Sequence, residues 1–115
     1  MKNLLILIAT GLFLTACGQP DTTLQDGWLG KWTGPEGTAL MLSKDVKKGR
    51  YLVSIQSLDS LKTYIARPEG RGLEFKRDGI RETVLAGNGE STGMKWLADK
   101  KECLVIRSGE GFCRK

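Results

Sequence analysis

Ser57-Leu58-Asp59-Ser60-Leu61-Lys62 is the stretch whose residue types could support catalysis, because a lysine can act as base toward a serine nucleophile. The same residues suit a polar turn between two strands, and that is the role expected of them. Acid–base work by two carboxylates would need Asp59 and Glu82 to meet, and nothing in their spacing brings them together. The chain has no histidine. Its cysteines are Cys17, Cys103 and Cys113, too few for a zinc site and not spaced as Cys-x-x-Cys. No glycine-rich loop carries the Lys and Ser or Thr that cradle phosphate. No catalytic residue, metal or cofactor is implied, and the chain is read as non-enzymatic. Two further groups could contact partners. Lys44, Lys47, Lys48 and Arg50 form a basic loop, solvated in the first instance and a patch for an anionic surface in the second. Met94, Trp96 and Leu97 suit a core or a rim, and an exposed Trp96 would be a contact for a partner.

The elements that must position these residues read as strands. From Trp28 onward, short apolar runs are cut by Gly, Asp and Asn every 8 to 12 residues, with 15 glycines in the chain. The expected strands are Trp28–Gly34, Thr38–Ser43, Arg50–Ser57, Lys62–Arg67, Gly72–Arg77, Ile80–Ala86, Thr92–Leu97, Glu102–Arg107 and Gly111–Arg114. Asp78-Gly79 suits a two-residue type I′ hairpin turn, which pairs Phe75 with Glu82 and Leu73 with Val84. Leu73, Phe75, Ile80 and Val84 then form an apolar face, while Glu74, Lys76, Arg81 and Thr83 face solvent. Glu82 falls on the apolar face beside Arg77, either as a paired acid at the barrel mouth or as a single acid in a ligand cavity.

The N-terminus adds an address. Lys2 precedes the apolar run Leu4–Phe13, which is shorter than the ~20 residues of a membrane helix. Leu14-Thr15-Ala16-Cys17 follows, and here the chain resembles the bacterial lipoproteins, whose lipobox reads Leu-x-(Ala/Gly)-Cys. That resemblance implies a signal peptide over residues 1–16, cleavage before Cys17, and acyl chains, palmitate among them, on that cysteine. Gly18 stands where an Asp would signal inner-membrane retention, so the resemblance implies an outer-membrane lipoprotein facing the periplasm. Residues 17–27 read as a lipidated tether and 28–115 as one β domain. With 115 residues less 16, the mature chain has 99, enough for one small domain.

With Cys17 lipidated in an oxidising compartment, Cys103 and Cys113 are expected to form a disulfide. A two-residue turn at Gly109-Glu110 would leave them too far apart along the ladder. The hairpin therefore needs an odd-numbered loop, such as Ile106 to Glu110, or a bulge.

Gly30-x-Trp32 on the first strand resembles the calycins: lipocalins, avidins and fatty-acid-binding proteins. The resemblance implies an antiparallel meander closing into an up-and-down barrel of about eight strands. It also implies that Trp32 packs across the closed end under a late basic side chain, Arg107 or Arg114. Eight strands enclose a space that side chains can just fill.

The formal net charge is +5. In an envelope compartment this favours anionic surfaces, and no nucleic acid is expected as a partner because an exported lipoprotein rarely meets it. The leading expectation is a non-catalytic lipoprotein, held at the membrane through Cys17, that binds an envelope protein or an anionic envelope polymer. The alternatives are a periplasmic inhibitor of lysozyme-type enzymes and a carrier of a small apolar ligand. Basic charge disfavours the inhibitor, since lysozymes are mostly basic.

Overall fold

The computed structural model describes residues 24–47 and 49–114. Its strands are β1 (Gly30–Thr33), β2 (Ala39–Lys44), β3 (Tyr51–Gln56), β4 (Leu61–Glu69), β5 (Gly72–Arg77), β6 (Ile80–Gly87), β7 (Glu102–Arg107) and β8 (Glu110–Arg114). Each pairs antiparallel with its sequence neighbours, and β8 pairs back onto β1, closing an up-and-down barrel. The eight-stranded all-β barrel expected from the sequence is the fold observed.

Side chains alternate across each strand, and one parity points inward. Trp32, Leu40, Leu42, Tyr51, Val53, Ala66, Leu73, Phe75, Val84, Leu104 and Phe112 meet in one buried cluster that fills the barrel. The β5–β6 turn has positive φ at Asp78 and Gly79, as a type I′ turn requires, and sets the expected pairs Phe75 with Glu82 and Leu73 with Val84. Ile80 corrects one expectation. It has the inward parity but is 60% exposed, because its partner Arg77 lies at the rim, beyond the height of the core.

Connections in an antiparallel barrel alternate between its ends. The β1–β2, β3–β4, β5–β6 and β7–β8 turns form one rim. The other end carries the remaining connections and a 3-10 turn, Leu24–Trp28, that plugs it. There Gln25 Nε2 donates to the Gly72 carbonyl at 2.9 Å, and Tyr51 Oη donates to Asp26 Oδ1 at 2.5 Å. Trp32 Nε1 donates to the Trp28 carbonyl at 2.8 Å. The domain therefore starts at least four residues earlier than expected. Gln25 and Asp26, assigned to the tether from their polarity, are bonded into the barrel.

Two further expectations change near the C-terminus. Thr92–Leu97 is not a strand but part of the β6–β7 connection, which holds two short 3-10 turns, Glu90–Thr92 and Lys95–Leu97. The Gly89 N–H donates to the Lys100 carbonyl at 2.8 Å, tying the two ends of this connection into an Ω-shaped loop. The β7–β8 turn is Ser108-Gly109, and Ile106 is the extra residue of a bulge between Val105 and Arg107. Of the two routes left open, the bulge is the one used. It sets Cys103 opposite Cys113 with Cα atoms 3.9 Å apart, and the disulfide is formed. Both cysteines point away from the barrel interior. Leu97 and Met94 of the loop cover them in a second small apolar cluster.

Candidate functional site

The rim holds the most concentrated chemistry. Glu82 lies on the inward row of β6 with its side chain 8% exposed. Arg77, at the end of β5, donates to Glu82 Oε2 from Nη2 at 3.0 Å. Arg77 also grips Glu110 of β8 with two hydrogen bonds, at 2.7 and 2.8 Å. Arg107 of β7 bonds Glu82 from the other side. Burial raises the Glu82 carboxyl pKa, but the hydrogen bond from Arg77 and the charges of Arg77 and Arg107 pull it further the other way, to below the ordinary value. Glu110 first, and then Glu82, hold Arg77 charged despite partial burial. Two arginines and two glutamates thus neutralise each other. At neutral pH Glu82 is ionised and engaged, which suits a structural tie across β5, β6, β7 and β8 better than a proton donor. Beside it lies a recess of about 260 Å³, bordered by Ile55, Met94, Glu110 and Phe112.

Other sequence candidates separate. Ser57 Oγ bonds Ser60 Oγ at 2.8 Å within the β3–β4 turn, while Lys62 is exposed on β4. Asp59 is exposed in that turn, whereas Glu82 is buried in the ion cluster. In the basic loop, Lys44 pairs with Asp26 at 3.3 Å and Arg50 with Asp45 at 2.5 Å. The Arg50 hydrogen bond holds the Asp45 carboxyl below its ordinary range. Lys47 is exposed, and Lys48 lies outside the described residues, as do Cys17 and the lipobox. Arg114 sits over the Trp32 ring at 3.9 Å and donates to the Gly27 carbonyl at 2.5 Å. Arg107, the other candidate for that place, faces the rim instead. Trp96 is 68% exposed on the loop that covers the disulfide, while Leu97 is buried.

One feature escaped the sequence. A groove of about 400 Å³ on the outer wall is lined by Arg50, Arg67, Lys76 and Arg81, with Glu74, Ile65 and Phe75. Lys76 and Arg81 read as part of a solvated face, and only the β4–β5 register adds Arg67 to them. Among the described residues no group of three or more His, Cys, Asp or Glu could hold a metal ion.

Fold and site together define a side-chain-filled, disulfide-stapled eight-stranded barrel with a self-neutralised rim and an exposed tryptophan on a clamped loop. The chain matches no protein-family model, no curated protein and no solved structure.

Proposed function

We propose that this chain is an outer-membrane lipoprotein, anchored through Cys17 and facing the periplasm, whose non-catalytic β barrel binds another envelope component. The observation that carries the binding role is Trp96. A tryptophan 68% exposed is costly to leave in water, and its loop is fixed on both sides. Leu97 is packed against the disulfide, and the Gly109 N–H donates to the Thr92 carbonyl at 2.7 Å. A large ring on a preorganised loop gives up little entropy on binding, which is the usual profile of an interface anchor. The filled interior weighs against an apolar carrier, since the space such a guest would occupy already holds side chains.

The test is site-specific photocrosslinking in intact cells, with the probe at position 96 or, as a control, at the exposed Leu58 on the rim. A discrete adduct from position 96 and none from position 58 is the expected result. Equal labelling from both, or no adduct from position 96 under any growth condition, overturns the binding role. Membrane flotation of the wild type against Cys17→Ser tests the anchor separately.

A further inference from the structure

We propose that the groove where β4 and β5 part is a binding site for a phosphate ester with a small organic body. The ladder between these strands runs only from Glu69–Gly72 to Ala66–Phe75. Both strands continue beyond it, β4 paired to β3 as far as Leu61 and β5 paired to β6 as far as Arg77. The facing edges of Leu61–Ile65 and Lys76–Arg77 therefore have no ladder partner, and the wall opens toward the rim. Tyr64 and Phe75, with ring centroids 5.1 Å apart, seal the opening from inside. What remains is a shallow groove on the outer wall.

Its charges are uneven. Arg81 is 3.3 Å from Glu74, the acid among the lining residues, and Arg50 is held by Asp45. Arg67 and Lys76 have no ion-pair partner among the described residues, and both are exposed. Arg67 follows Ala66, which faces the core, so Arg67 faces outward, directly across from Glu74. Lys76 lies directly across from Arg81. Two unneutralised cations match the two charges of a phosphate monoester, with the arginine fork supplying directed donors and Arg50 and Arg81 flanking it. The volume exceeds what one phosphate needs. Ile65, 48% exposed, offers an apolar contact for carbon atoms attached to the phosphate, with Phe75 buried in the wall beneath it. This deepens the proposed binding role by naming a ligand class, but it uses a different wall from Trp96, so the two can fail separately.

The test titrates the full chain, in neutral detergent micelles at 150 mM salt, with glucose 1-phosphate while amide NMR shifts are followed. Saturable shifts confined to residues 50, 65–67, 74–76 and 81 are expected. Arg67→Glu with Lys76→Glu should weaken binding at least tenfold, whereas Lys31→Glu on β1 should change it less than twofold. Phosphatidylglycerol mixed into the micelles is the second arm. Shifts of the same residues by the lipid alone assign the phosphate to a headgroup, and shifts by the sugar phosphate alone assign it to a soluble ester. No saturation with either probe, shifts spread equally over Lys47, Arg71 and Lys101, or indifference to the double charge reversal overturns the proposal. The spectra themselves report whether each variant is folded.

Discussion

Replacing Glu82 with Gln tests the rim cluster, and its cost can be worked out from what each partner keeps. Removing one member of a buried ion pair usually costs about 3–5 kcal/mol, because the other charge is stranded. Here neither arginine is stranded. Arg77 retains both bonds to Glu110, and Arg107, 55% exposed, reaches water. Glu82→Gln should therefore cost less, about 1.5–2.5 kcal/mol at pH 7. Arg77→Met leaves Glu82 with Arg107 alone and leaves Glu110 with an Arg107 contact at 3.7 Å, so it should cost more, about 3–4 kcal/mol. The pH dependence has a definite sign. The Glu82 pKa is lowered in the folded state, so its contribution is complete above the unfolded value of about 4.3 and is lost as pH falls through the lower folded value. Urea unfolding followed by tryptophan fluorescence at pH 7 and pH 3 reads both effects. The gap between wild type and Glu82→Gln should be full at pH 7 and shrink at pH 3. A gap that does not change with pH, or a Gln variant costlier than Arg77→Met, would refute the assignment.

The remaining expectations concern the staple, its cover and the plug. Cys103→Ala with Cys113→Ala opens a loop of sequence separation 10 and should cost about 3 kcal/mol, with faster amide exchange over residues 88–101. A loss under about 1 kcal/mol would count against this placement of the staple. Gly89→Ala would put a Cβ 1.6 Å from the Leu97 carbonyl oxygen, so the loop must move, and a loss of about 3 kcal/mol with broadened NMR signals for Leu97 is expected. Arg114→Ala removes both the contact on Trp32 and the bond to Gly27, for about 1.5–3 kcal/mol and a changed near-ultraviolet tryptophan dichroism. Arg107→Ala should leave that dichroism unchanged.

What was legible in the sequence was mostly local. Asp78-Gly79 dictates its own turn type, and that turn fixes the β5–β6 register and with it the meeting of Glu82 and Arg77. The glutamate–arginine pair could be read because both residues flank one turn. Arg107 and Glu110 joined it only through the β6–β7 pairing across the long connection and the Ile106 bulge of the β7–β8 hairpin, which leave no mark in local sequence. The segment Thr92–Leu97 looked like a strand because Met94, Trp96 and Leu97 are strand-compatible. Met94 and Leu97 are instead packed on the disulfide beneath them, with Gly89 in close approach to Leu97, and Trp96 is left exposed. Gln25 and Asp26 were legible only as polar residues, since polarity alone does not distinguish a tether from a plug that hydrogen-bonds the far strands. The basic wall needed the registers of β4, β5 and β6 together before its charges could be located.

The seam between the first and last strands has a consequence for timing. β1 and β8 share the registered pair Thr33–Cys113, supported by a bond from Thr33 Oγ1 to the Cys113 carbonyl at 3.2 Å. A chain elongating from its N-terminus cannot make this contact until β8 exists. Until then β1 and β7 are open edges, the staple has no second sulfur, and the Ω loop has no β8 to lie on. Closure across nearly the whole domain is slow by nature. The arrival of β8 thus completes the barrel, the staple and the loop cover together.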